Sequence, residues 1–70
     1  MKNGIYRHYK GDLYMVLGVG RQSTNGPTEG EKVVIYFSIK RQQFCVREIG
    51  QFREKVKWPD GKMRPRFKAV

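Results

Sequence analysis

The run Val33-Val34-Ile35-Tyr36-Phe37-Ser38-Ile39 constrains the chain most, because β-branched and aromatic side chains in unbroken succession fit a pleated strand and no helix of a domain this small. Its alternation predicts Val33, Ile35, Phe37 and Ile39 facing inward. Val34, Tyr36 and Ser38 form a second, half-apolar face, which implies a strand covered on both sides or used at an interface. Four more segments read the same way. Gly4 to Tyr9 is a first strand, closed by Lys10-Gly11-Asp12, which has the Gly and Asp that a tight reversal needs. Leu13 to Gly20 places Leu13, Met15, Leu17 and Val19 on an inner face, with Tyr14, Val16 and Gly18 opposite. Gln43 to Arg47 puts Phe44 and Val46 inside and Cys45 and Arg47 outside. Ile49 and Phe52, three residues apart, predict one helical turn within Glu48 to Glu54. The chain ends in a hairpin around Asp60-Gly61, a strong turn signal.

Register sets the meaning of that hairpin. A two- or four-residue loop pairs Trp58 with Met63, Lys57 with Arg64 and Val56 with Pro65; a three-residue loop mixes the faces. The even register buries Val56, Trp58, Met63 and Phe67 together and leaves Lys55, Lys57, Arg64, Arg66 and Lys68 as a basic face. Pro65 makes the last strand an edge. Between the second and third strands, Arg21 to Glu31 is polar and rich in Gly, Pro, Ser, Thr and Asn, so it is a surface loop.

Seventy residues make one domain, 1–70, whose core is marginal unless something adds to it, and oligomerisation is the obvious addition. Cys45 is the only cysteine and His8 the only histidine. One of each supplies neither a disulfide nor a zinc site, so no metal or cofactor is expected. Cys45 has no histidine base beside it and reads as a packing residue. No apolar run approaches a membrane span, so a cytoplasmic setting without membrane insertion is expected. Residues 1–11 carry +3, residues 12–40 sum to zero and residues 41–70 carry +6, of a net +9. Charge placed so unevenly implies an anionic partner.

The stretch Gly4-Ile5-Tyr6-Arg7-His8-Tyr9-Lys10-Gly11 packs tyrosines, the histidine and two cations between glycines. As a strand it has Ile5, Arg7 and Tyr9 on one side and Tyr6 and His8 on the other, and neither side is plain core. Such a strand forms the wall of a polar pocket. With Tyr14-x-Val16-x-Gly18-Val19, Val34-x-Tyr36, Val46-Arg47, Phe52 and Pro65-Arg66-Phe67, it resembles the short bacterial and phage proteins of domain of unknown function family 1653, over nearly the whole chain. The departures are Gln22 with its Gly-Pro loop, Phe44-Cys45 in place of a Leu-Trp pair, and Glu48 in place of a proline; they fall on the loop and the aromatic wall. The resemblance implies a compact β-rich domain and no activity. It also implies that Arg7, His8, Lys10, Arg21, Ser23, Arg47 and Arg66 are the polar positions of a defined site, separate from the hairpin cations.

These readings predict an all-β, mainly antiparallel fold: a small curled sheet, or an SH3-like or OB-like barrel, of five to six strands with one short helical turn. They predict a binding module without catalysis, since His8 has no nucleophile or paired carboxylate to work with. Its ligand is anionic and phosphate-bearing, first of all nucleic acid. The ligand site comprises Tyr6, Arg7, His8, Lys10, Arg21, Ser23, Tyr36, Arg47 and Arg66, where guanidinium groups grip phosphate and tyrosines offer flat surfaces to a base. The nucleic-acid surface comprises Lys55, Lys57, Trp58, Lys62, Arg64 and Lys68. The alternatives are a binder that sequesters a nucleotide or nucleotide-derived signal, with its site shared between subunits of a homo-oligomer, and a protein-protein interaction module. No Walker-type phosphate loop is present.

Overall fold

The β-branched run forms an inner strand of the main sheet. A computed structural model describes residues 1–70, and in it Lys32–Ser38 is strand β3. The other elements are β1 (Gly4–His8), β2 (Leu13–Arg21), β4 (Gln43–Glu48), α1 (Ile49–Phe52), β5 (Lys55–Lys57), β6 (Met63–Pro65) and β7 (Phe67–Ala69). Five strands make one sheet in the order β4-β3-β2-β1-β7, and β5 and β6 pair separately. Every pairing is antiparallel. The fold is therefore a small curled antiparallel sheet with one helical turn, and it does not close into a barrel. No helix is long and apolar enough to cross a membrane.

Curl has a visible source in β2. Val16 pairs with Tyr36 and Gly18 with Ile35, so Leu17 is an extra residue, a β-bulge that bends the strand and strengthens its twist. The bulge also changes the alternation. Val19, expected beside Met15 and Leu17, pairs instead with the fully buried Val34.

The core lies on the face opposite to the expected one. Val16, Val34 and Tyr36 are buried with Phe52 and Phe67, and Tyr6, Tyr14, Cys45 and Ile49 pack against them. Of the expected inner residues, Met15, Leu17, Val19, Ile39, Phe44 and Val46 are exposed. The reason is the path of the chain after β4. Glu48 caps α1 by accepting the Gln51 N–H at 2.9 Å, which turns the chain sharply and swings Ile49 and Phe52 over the tyrosine face. Phe67 then arrives from β7, and its ring stacks on Phe52 at 4.1 Å with the planes 2° apart. Tyr36 meets both rings edge-on at 5.3 and 5.5 Å. A core of so few residues is filled because aromatic rings bury about 150–250 Å² each.

The terminal hairpin also differs from expectation. Lys55 pairs with Pro65, Val56 with Arg64 and Lys57 with Met63, one residue out from the even register. Trp58 N–H donates to Lys62 C=O at 2.9 Å and Gly61 N–H to Trp58 C=O at 2.8 Å, leaving Pro59-Asp60-Gly61 as a three-residue loop. Gly61 takes φ 87°, as the last residue of such a loop must. The first hairpin has the same form: His8 N–H donates to Asp12 C=O, Gly11 N–H to His8 C=O, and Gly11 has φ 107°. The uniform basic face of Lys55, Lys57, Arg64, Arg66 and Lys68 therefore does not exist. Val56 and Arg64 share one side, Lys57 and Met63 the other, and Met63 is exposed. The expected last strand is divided as well, since β6 pairs with β5 while β7 pairs with β1.

Candidate functional site

Two clusters gather the residues singled out in the sequence, one on each face of β1. Arg7 lies on the face away from the core, directly opposite Lys68 of β7. Those two side chains, with Trp58, Ala69 and Val70, line a cleft of about 260 Å³. No acidic side chain forms an ion pair with Arg7 or Lys68, although Arg7 donates one bond to the Gly11 carbonyl at 3.0 Å. Trp58 is held in place by its Nε1–H, which donates to Pro65 C=O at 2.9 Å, and by the Arg64 guanidinium 5.9 Å from its ring. Arg64 is itself bound to Asp60 at 2.7 Å. That contact, with the Lys62 N–H, holds the Asp60 carboxyl below the usual carboxylate range. Two hairpin residues of the expected nucleic-acid surface, Trp58 and Lys68, thus meet Arg7 from the expected ligand site, while Arg64 braces the wall. Lys55, Lys57 and Lys62 are exposed elsewhere on the hairpin.

On the core face, His8 stands between Tyr9 at 4.6 Å, Phe67 at 4.9 Å and Tyr14 at 5.9 Å. Burial first, then the positive fields of Arg66, Lys10 and Arg47, hold its imidazole below the ordinary value, against an opposing pull from Asp12. His8 Nδ1 accepts the Lys10 N–H at 3.1 Å, which places the proton of the neutral ring on Nε2. Tyr14 adjoins Tyr36 at 5.6 Å, and Arg47 Nε donates to the Tyr36 hydroxyl at 3.3 Å. Burial, then Asp12, pushes the Tyr14 phenol up, so it stays protonated. His8 Nε2, the Tyr14 hydroxyl and the terminal nitrogens of Arg47 have no partner within the chain, yet no buried polar side-chain atom is left unsatisfied. These donors are therefore open to solvent on a basic, aromatic surface.

The remaining expected site residues serve the fold. Tyr6 packs edge-on to Phe52 at 6.0 Å and donates to Lys2 C=O at 2.7 Å. Arg66 donates to Gln51 C=O at 3.3 Å and to Glu54 at 3.0 Å, tying the hairpin to α1. Arg21 reaches back to Gly30 C=O at 2.9 Å to close the long loop, and Ser23 is exposed within that loop. Neither approaches the two clusters. Tyr14, one of the tyrosines expected to offer a flat surface to a base, belongs to the core-face cluster and pairs opposite Tyr6. No group of three or more His, Cys, Asp or Glu side chains is placed to hold a metal ion.

Residues 4–69 match the family described as protein of unknown function, DUF1653. This chain belongs to the DUF1653 family. Its fold is similar to the crystal structure of a DUF1653 protein from Bordetella bronchiseptica, with a TM-score of 0.83 and 33% identity, covering 100% of this chain and 87% of that one. No curated protein matches the chain. Membership of the family and the β-rich fold that the resemblance implied both stand, and the DUF1653 match leaves function to be argued from the two clusters.

Proposed function

We propose that this DUF1653 protein is a non-catalytic binding module for an anionic, phosphate-bearing ligand, nucleic acid first, held at the cleft of Arg7, Trp58 and Lys68. The observation that carries this reading is the placement of two cations directly opposite each other on neighbouring strands, unpaired by any acid, against an aromatic wall. Like charges across a strand pair destabilise a sheet, and a phosphate between them turns that repulsion into attraction. Trp58 supplies the π-face on which a base stacks, an interaction indifferent to sequence. Fifteen cations against three ion-paired ones, Lys40, Arg64 and Arg66, leave twelve to extend the attraction beyond the cleft.

Trp58 is the only tryptophan, so its fluorescence reports on the cleft directly. Titration with single-stranded and duplex oligonucleotides at several salt concentrations is expected to quench it with a steep salt dependence. Arg7→Ala and Lys68→Ala are each expected to lower the log-log slope by about 1. Binding that leaves both the fluorescence and the slopes of these variants unchanged would put the site elsewhere.

A second reading, a pocket for a small nucleotide, draws on the open donors of His8, Tyr14 and Arg47. Mononucleotide binding lost in Arg47→Ala but kept in Arg7→Ala would select it. Absence of binding to both ligand classes at physiological salt would refute both readings.

A further inference from the structure

The face of the sheet away from the core is apolar across β4, β3 and β2, and of its residues only Val33, near the start of β3, is buried. Cross-strand register sets Phe44, Phe37 and Met15 in one row and Val46, Ile35 and Gly18 in the next, with Leu17 of the bulge beside them. Phe44 is 70% exposed, Val46 63%, and Met15 and Leu17 41% each. Phe44 is braced edge-on against Phe37 at 5.0 Å, so it stands out as a fixed knob. We propose that a second copy of this chain covers this face, forming a two-fold symmetric dimer with the sheets packed face to face.

Four observations select a second copy as the occupant. The two rows contain no charged residue, so copies with a charge of +9 each meet without like charges at the centre of the contact. A charged or acidic partner would find nothing there to pair with. Phe44, Val46, Met15 and Leu17 lie side by side and exposed, and a contiguous apolar patch of this kind marks an interaction surface. The patch is also self-complementary, as a two-fold contact requires. Phe44 protrudes at one corner, while at the diagonal corner Gly18 has open space where a side chain would stand. A two-fold axis lying in the plane of contact and passing between Ile35 and Phe37 sets each Phe44 over the other copy's Gly18. Finally, only seven of the seventy residues are buried, and the core cluster lies on a single face. A chain of this size gains from burying its other face. Arg7 and Lys68 lie beyond Ile5 and Leu13, at the rim, where interface charges are ordinarily found.

Sedimentation velocity on the intact chain across the micromolar range tests the proposal. The wild type is expected to sediment as a dimer. Phe44→Asp is expected to weaken the dimer by at least about thirty-fold while keeping the β-sheet circular dichroism of the wild type. Gly18→Val is the second variant, because a monomer has room for the added side chain and the dimer does not. Should Phe44→Asp fail to fold, Gly18→Val decides. Oxidation of a Phe44→Cys, Gly18→Cys double variant in a Cys45→Ser background is expected to trap a covalent dimer. A wild type that stays monomeric throughout overturns the proposal, as does a dimer that both single variants leave intact.

Discussion

On one face of the sheet, Val16, Val34 and Tyr36 lie beneath Phe52 and Phe67 and are shut off from water; on the other, Met15, Leu17, Phe44 and Val46 stand in it. Both sets are apolar and both alternate with the same period. The open face carries no hydroxyl-bearing ring and is the more hydrophobic of the two, yet it is the tyrosine face that is covered. Burial follows the arrival of partners, and the partners here are aromatic. α1 and β7 bring Phe52 and Phe67 to a surface already carrying Tyr6, Tyr14 and Tyr36, whose rings pack while their hydroxyl groups reach carbonyls, guanidinium or solvent at the margin. What the contrast teaches is that alternation divides a strand into two faces without saying which of them meets the rest of the chain.

The contrast breaks most sharply by truncation. Phe67→Ala is expected to cost about 3–5 kcal/mol, since its ring contacts Phe52, Tyr36, Tyr14 and His8 in a core with little else to collapse into the space. Phe44→Ala, under dilute conditions that keep the chain monomeric, is expected to cost no more than about 0.5 kcal/mol. Urea denaturation of the two variants measures both. Equal costs would mean that the two faces are equally engaged in the monomer.

A smaller effect comes from the one titratable group set among the core-face rings near neutrality. His8 is held below its unfolded value of about 6.5, so the folded chain takes up its proton later than the unfolded chain as pH falls. Stability is therefore fully present above about pH 6.5 and is lost as pH drops through that value toward the folded one. Denaturation midpoints measured from pH 8 down to about pH 5 are expected to fall across this window, and His8→Gln is expected to flatten that part of the profile. The open face has no titrating group in its two central rows and contributes nothing there. A pH profile as steep in His8→Gln as in the wild type would assign the dependence to another group.

The smallest expected change is on the open face. A Cβ at Gly20 would lie 3.2 Å from Ile35 Cδ1, the free end of a side chain that is itself only half-buried and can turn aside. Gly20→Ala is expected to be neutral or stabilising by up to about 0.5–1 kcal/mol, because alanine loses less backbone freedom than glycine. Clear destabilisation in a dilute thermal melt would show that this face is packed as tightly as the other.

How much of this was legible in the sequence depends on how local the deciding interaction is. The long strands, the helical turn around Ile49 and Phe52 and the edge character of Pro65 follow from neighbouring residues, and all are present. The buried face was not legible, because it rests on contacts between Phe67 and strands far from it in sequence. Hairpin register lay between. Asp60-Gly61 suggests an even loop, but Pro59 ahead of it makes a type I turn whose third residue must be Gly in the left-handed region. Tyr9-Lys10-Gly11 repeats that loop form and confirms it within the same chain. At the candidate site, the chemistry of Arg7, His8, Arg47 and Trp58 was legible from residue type. The division of Arg7 from His8 between the two faces of β1 was legible from alternation, whereas the meeting of Arg7 with Trp58 depends on where the hairpin lands.

The bulge in β2 also marks where the chain can change length. Removing Leu17 would leave Val16 opposite Tyr36 and Gly18 opposite Ile35, so every pair of β2 and β3 would keep its partner and only the bend would relax. Removing any regularly paired residue from the middle of β2 slips the rest by one and turns its side chains inside out. Single-residue gaps among sequences sharing this fold are thus expected to concentrate at this position, and a chain that carries one should have a flatter sheet.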